Sequence, residues 1–225
     1  VDPGPGALVQ MHRFRVSPES VDALLISHSH TDHYTDAEVL IEAITRGGLK
    51  RRGTLIASES VIEGVEGIGP AISSYHRSLL KEVIALRPGE EARVGDVVIR
   101  ATRCVHHDPT TIGFFMEMKG GPVAYVADTE YAEEVVEDVR GARVLILPVT
   151  RPLGMRIPSH LSTEDAAIMV EDVKPELAVI THFGLRMLEK DPDYQADWIW
   201  KRTGVRTIAA DDGMRVILGK RIVVE

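Results

Sequence analysis

Asparagine is missing altogether from the 225 residues, glutamine occurs only as Gln10 and Gln195, and Cys104 is the lone cysteine. One cysteine excludes an intrachain disulfide and a thiolate cluster for a structural metal. It also makes a reducing compartment, the cytoplasm, the expected location. Depletion of amides and cysteine, with arginine in excess of lysine, is the composition expected of a thermophile protein. Cations are in deficit: the formal net charge is −8, which argues against gripping nucleic acid through bulk electrostatics. No apolar run reaches the length of a membrane span and no leader-like segment opens the chain, so no membrane partner is expected. Repeats, low-complexity tracts and domain-dividing linkers are also missing, and the expectation is one domain over residues 1–225. The chain opens without Met on Val1-Asp2-Pro3-Gly4-Pro5-Gly6, which reads as a strand end running into a turn, so further residues are expected before Val1.

What is present is ordinary for a soluble globular chain, with 44% hydrophobic and 27% charged residues. Apolar patterning predicts strands at Ala23–Ser27, Thr54–Ala57, Val83–Leu86, Val97–Val105, Ile112–Met118, Val123–Ala127, Val144–Val149, Leu177–Thr181, Val205–Ala209 and Met214–Leu218. Helices are marked by their ends. Thr35-x-x-Glu38 is a capping-box pattern opening Asp36–Thr45, and Ser162-x-x-Asp165 opens a second helix that must stop before Pro175. A third spans Pro192–Thr203 with Gly204 as its stop, and Glu130–Val139 has helical character. Hairpin signals fall at Pro88-Gly89, Lys119-Gly120-Gly121 and Asp211-Asp212-Gly213. Strand meanders broken by single helices suit an α/β sheet sandwich flanked by helices.

One segment stands apart. Ile26-Ser27-His28-Ser29-His30-Thr31-Asp32-His33 puts three imidazoles and a carboxylate in six residues directly after a buried strand. Imidazole nitrogen and carboxylate oxygen are the ligands that divalent zinc prefers when no thiolate is on offer. Spacings of i, i+2, i+4 and i+5 let one loop fan its donors toward two nearby points. A structural zinc site would recruit cysteines, and here the one cysteine is alone.

The motif His-x-His-x-Asp-His resembles the signature of the metallo-β-lactamase superfamily, and further segments in order are similar to its other parts. These are His106 or His107, Asp128 in Tyr125-Val126-Ala127-Asp128-Thr129, and His182 in Ile180-Thr181-His182-Phe183-Gly184. The resemblance covers nearly the whole chain and implies a four-layer αββα sandwich with two divalent metal ions, zinc in the first place and manganese or iron as alternatives. It assigns His28, His30 and the middle histidine to one ion, Asp32, His33 and His182 to the other, and Asp128 to a bridge. For the middle histidine, spacing to Gly113 and Asp128 similar to that of family phosphodiesterases favours His107 over His106. Asp2 resembles an acidic residue that supports the ligands from behind.

His30 stands where the family's diiron oxidoreductases carry Glu, which favours a metal-dependent hydrolase. Ser159-His160-Leu161-Ser162-Thr163 resembles the histidine motif of the ribonuclease Z-like branch, 22 residues before His182. By that resemblance His160 is a catalytic residue that meets the scissile phosphate without binding metal, while Asp32 helps to hold the nucleophile. A helix-capping His160 is the plain alternative. Only 21 residues separate His107 from Asp128 and 32 separate Asp128 from His160. The arm and the inserted domain of the RNA-processing members therefore have no room in their usual places. A small-molecule or short phosphodiester is the expected substrate, with a lactonase or thioesterase as the competing hydrolase and an iron oxidoreductase as the third reading. Arg151 and Arg156, in the loop after the Val144–Val149 strand, are candidate phosphate contacts. Tyr131 matches a lactonase active-site tyrosine in position, or else packs against the core. An exposed tryptophan of the Trp198/Trp200 pair leaves a homo-oligomer open.

Overall fold

The computed structural model describes residues 1–225. A short helix α1 (Ala7–Arg13) precedes β1 (Ala23–Ile26), the single turn α2 (Thr31–Tyr34) and α3 (Ala37–Thr45). β2 (Thr54–Ala57), α4 (Glu59–Ile62), α5 (Ser74–Leu79) and β3 (Glu82–Ala85) follow, and β1-β2-β3 form a parallel sheet. A second sheet begins with the antiparallel meander β4 (Glu91–Val94), β5 (Val97–Arg103), β6 (Ile112–Glu117) and β7 (Val123–Tyr125). After α6 (Glu133–Val139) it continues in parallel through β8 (Val144–Arg151), with the short β9 (Leu161–Ser162) beside it. α7 (Thr163–Val173), β10 (Leu177–Thr181), α8 (Leu185–Leu188), α9 (Pro192–Thr203) and β11 (Thr207–Ala209) complete it. A last hairpin, β12 (Val216–Leu218) with β13 (Ile222–Val224), stands apart from both sheets.

Side-chain alternation sets the layers. Leu24 and Ile26 point to α3, with Leu40, Ile41 and Ile44, while Leu25 between them joins Ile99, Ala101, Ile112 and Phe114 of the facing sheet. On β8, Leu145, Leu147 and Val149 pack under α6, α7 and α9 with Val135, Ala166 and Ile199, whereas Val144 faces inward against the β12–β13 hairpin. The result is helix, sheet, sheet, helix, the αββα order expected from the resemblance. No helix is long and apolar enough to cross a membrane.

Local signals held where the partners were local. The Ser162 hydroxyl accepts from Asp165 N–H and the Asp165 carboxylate accepts from Ser162 N–H, the reciprocal box expected at α7. Asp191 caps α9 at Pro192, and Gly204 ends it at φ 73°. The Thr35/Glu38 box does not form. Thr35 Oγ1 donates back to Thr31 C=O, and Glu38 accepts instead from Ser73 N–H, 35 residues away. Lys119–Gly121 joins β6 to β7 as a true hairpin, but Pro88-Gly89 carries the chain from the first sheet to the second, and Asp211–Gly213 links β11 to the separate β12–β13 pair.

This topology positions the site. β1, β5, β7, β8 and β10 all end at the same edge of the sandwich, and each releases into a loop that carries a polar residue singled out above.

Candidate metal centre

The loop after β1 holds His28 and His30, and α2 carries Asp32 and His33 one turn further on. From the second sheet come His106 after β5, Asp128 after β7, His160 before β9 and His182 after β10. Their donor atoms fall into four overlapping groups, each able to hold a metal ion: His28–His30–His106, His28–His33–Asp128, Asp32–His33–His182 and His106–Asp128–His160. Overlap of these groups through His28, His33, His106 and Asp128 suits a binuclear site.

The rings are turned by what lies behind them. Asp2, with its side chain 5% exposed, accepts from Ser27 N–H (2.7 Å), Ser27 Oγ (2.7 Å), Tyr125 Oη (2.7 Å) and His33 Nδ1 (2.9 Å). With its hydroxyl spent on Asp2, Ser27 Oγ accepts from His28 Nδ1 at 2.9 Å. His106 Nδ1 donates to Ser159 C=O at 2.9 Å and His160 Nδ1 to Pro158 C=O at 3.2 Å. Nδ1 atoms committed to these acceptors turn four Nε2 atoms toward the cluster, the outer support that orients metal-binding imidazoles. His33 Nε2 stands 3.0 Å from His182 Nε2, and His106 Nε2 3.1 Å from His30 Nδ1.

Two of the buried donor atoms lack a hydrogen bond of the protein's own. His28 Nε2 and Asp128 Oδ1 are buried without a hydrogen bond, a costly state for polar atoms unless a cation is held there. This orphaned pair fits divalent metal. Without a cation the cluster balances its charge internally. Burial and the neighbouring His33 charge push His28 down to about 3. Against the desolvation of burial, hydrogen bonds to Asp128 and Asp2 hold His33 up at about 10. Desolvation also opposes the ionised Asp128, yet His160 and His33 keep it far below the usual carboxylate range. Backbone strain gathers here as well: Asp2, Ser159 and His182 are three of the seven non-glycine residues at positive φ. Gly4 has no Cβ because Asp32 C=O lies where it would be, which lets the Asp2 turn pack directly on α2.

The expectation for the middle histidine is corrected. His106, with its side chain 0% exposed, enters the cluster, whereas His107 is exposed and belongs to none of the donor groups. The strand ends at Arg103, and Val105 is pinned on both sides, its N–H to Thr129 Oγ1 and its C=O to Glu130 N–H. That anchor, not strand alternation, decides which ring turns inward. His106→Ala is expected to lower metal content, while His107→Ala leaves it unchanged; elemental analysis of the two purified variants checks this.

Tyr131 does not reach the cluster. It packs against the α6–α7 core and lines a small cleft with Glu133, Arg140 and Asp172. Arg156 is taken by Asp165 at 2.7 Å, beside the α7 cap. Arg151 is nearer the chemistry: its Nε is buried without a partner, and its charge bears on His160. Cys104 takes no part, since desolvation pushes its thiol up to about 12.

Asp108 was not foreseen. Its buried carboxylate accepts from Ser29 N–H (3.1 Å), Ser29 Oγ (2.9 Å), Thr110 N–H (2.9 Å) and Thr110 Oγ1 (2.8 Å), tying the His28–His30 loop to the loop that carries His106. No sequence signal marks it, because its partners come from two loops far apart along the chain. Although burial opposes its charge, these bonds and Ser60 hold Asp108 down at about 2. A depressed carboxylate contributes stability that is present above its unfolded pKa and is lost as pH falls through its folded one. In metal-free protein, the stability gap between wild type and Asp108→Asn should therefore be full at neutral pH and close between about pH 4 and pH 2. Urea midpoints across that range measure it.

The family model described as Beta-lactamase superfamily domain matches residues 1–183. Protein MJ1374 of Methanocaldococcus jannaschii is 41% identical over 220 residues, covering 97% of this chain and 82% of its own. The chain therefore belongs to the metallo-β-lactamase superfamily, and fold and donor set together are those of a metal-dependent hydrolase. Among solved structures, the metallo-β-lactamase fold protein YhfI of Bacillus subtilis superposes with TM-score 0.79 at 18% identity, covering 100% of this chain and 85% of its own. A diphosphatase of the PhnP family superposes with TM-score 0.67 at 19% identity, covering 93% of this chain and 75% of its own.

Proposed function

We propose that the protein hydrolyses a small or short phosphodiester, with His28, His30 and His106 holding one zinc ion, Asp32, His33 and His182 a second, and Asp128 between them. The observation that carries this reading is His160. Its Nδ1 proton is committed to Pro158 C=O, and its Nε2 faces Asp128 Oδ2 at 3.5 Å, beside the unpartnered Arg151. The Asp128 carboxylate raises the His160 pKa against the desolvation that burial imposes. A partly buried imidazolium on which the Arg151 charge bears suits an anionic substrate and a leaving oxygen that needs a proton.

Two divalent ions in such a site supply Lewis acidity and an activated water. Asp2, through Ser27 and directly, keeps the His28 and His33 rings turned toward them. Arg151 adds positive charge where the substrate's non-bridging oxygens gather. As a water oxygen bonds to phosphorus and releases one proton to solvent, the phosphorus–oxygen bond to the leaving group breaks; His160 Nε2 would give its proton to the departing oxygen and regain one from water. The lactonase alternative relied on Tyr131, which lies away from the donors. The structural likeness to a diphosphatase agrees with a phosphate-ester substrate.

The test is an activity panel on zinc-loaded protein. Turnover of bis-p-nitrophenyl phosphate well above that of acyl lactones and thioesters is expected. Turnover of a lactone or thioester with none of the diester would overturn the reading.

A further inference from the structure

His107 and the turn at Val65–Ile68 enclose a cavity of about 350 Å³ that opens directly beside His30 and that the chemistry above leaves unused. Its walls are Val65, Ile68 and Pro109, with Ser29 and His107 supplying polar atoms and Glu66 and Asp108 two carboxylates, the latter already bound by Ser29 and Thr110. The turn is closed by its own backbone hydrogen bonds. Val65 and Ile68 exchange both backbone hydrogen bonds (2.9 and 2.8 Å), Gly67 takes φ 81°, and Gly64 at φ 83° packs where a Cβ would meet Ile68 C=O at 2.5 Å. This turn holds Ile68, with 54% of its surface exposed, on the cavity wall across from His107 and Pro109.

The two ends of the site differ in chemistry. His160 and His107 both neighbour the His106 ring, at 5.2 and 5.5 Å between centroids. His160 leans on Asp128, near Arg151, while His107 opens into the cavity by His30, where no lysine or arginine reaches. The cationic end suits the departing oxygen, and the cavity offers no cation to a second one. Glu66 makes no ion pair, and a carboxylate on the wall repels a second anionic group while accepting hydrogen bonds from a neutral one.

Resting on the phosphodiesterase reading, we propose that this cavity receives the substituent that stays on phosphorus, and that it selects an uncharged flat ring gripped between Ile68, Pro109 and His107. Hydrolysis then releases the alcohol at His160 and leaves the ring on the monoester product.

Two diesters with the same leaving group test this, p-nitrophenyl phenyl phosphate and p-nitrophenyl methyl phosphate. Wild type should prefer the phenyl ester in kcat/KM on the order of tenfold or more, the usual worth of a well-filled apolar pocket. Ile68→Ser and His107→Ala should each pull that ratio toward unity with metal content intact, and Leu49→Ser, at an exposed site outside the cavity, should leave it unmoved. A p-carboxyphenyl ester should be disfavoured, and Glu66→Gln should narrow that penalty. A ratio near unity in wild type, or one that neither cavity variant moves, overturns the proposal. Hydrolysis of neither diester refutes the phosphodiesterase reading instead. The cavity is then judged by affinities of phenylphosphonate and methylphosphonate for zinc-loaded protein: a phenyl preference lost in Ile68→Ser upholds it and equal affinities refute it.

Discussion

His160→Ala is expected to lose roughly 10²–10⁴-fold in kcat on an alkyl diester, the usual contribution of a positioned proton donor, while retaining its metal ions. The reason lies in how His160 is held. Pro158 C=O fixes its Nδ1 proton, and the hydrogen bond to Asp128 raises its pKa, so that at neutral pH more of it carries the Nε2 proton than of an unpaired imidazole. A leaving group such as p-nitrophenolate needs little protonation, and on it the loss should shrink. Comparing kcat for alkyl and p-nitrophenyl esters in one variant thus separates an acid from a residue that only orders the loop, whose removal would slow both alike. His160 also belongs to a donor group with His106 and Asp128. A variant that arrives short of metal would make it a ligand, and its part in proton transfer would fall.

Asp128→Asn should act on the metals themselves. Asp128 lies within 3.5 to 3.9 Å of ring nitrogens of His33, His106, His160 and His182, with its side chain only 3% exposed and one oxygen unpartnered. Removing a buried charge from such a set leaves its partners uncompensated, at a cost of about 3–5 kcal/mol, or roughly 10²–10⁴-fold in metal affinity. Competition against a chromophoric chelator measures this directly. Unchanged affinity would mean that the carboxylate serves only to balance His33 and that no ion lies against it.

Much of this site was legible because its informative residues are close in sequence. His28, His30, Asp32 and His33 are delivered by one strand end and one helical turn, and the box at Ser162 needs only Asp165. Long-range partners erased other signals. Glu38 reads as a capping residue until Ser73 arrives from across the chain, and nothing between Arg103 and Asp108 announces that Thr129 will pin Val105 and so choose His106. The edge strand β4, Glu91-Ala92-Arg93-Val94, went unread since only Ala92 is buried. α1 went unread since it buries no residue at all. Asp108 is invisible for a related reason: its worth lies in joining two loops that meet only once the sheets have stacked.

Metal titration of chelator-stripped wild type, run calorimetrically at neutral pH in two buffers of different ionisation enthalpy, tests the central claim most directly. The account predicts saturation at about two zinc ions per chain with net proton release. Against burial, Asp128 and Asp2 hold His33 protonated to about 10 in the metal-free protein, and it must give up that proton to bind metal. Saturation at a single ion, or binding with no proton released, would contradict it.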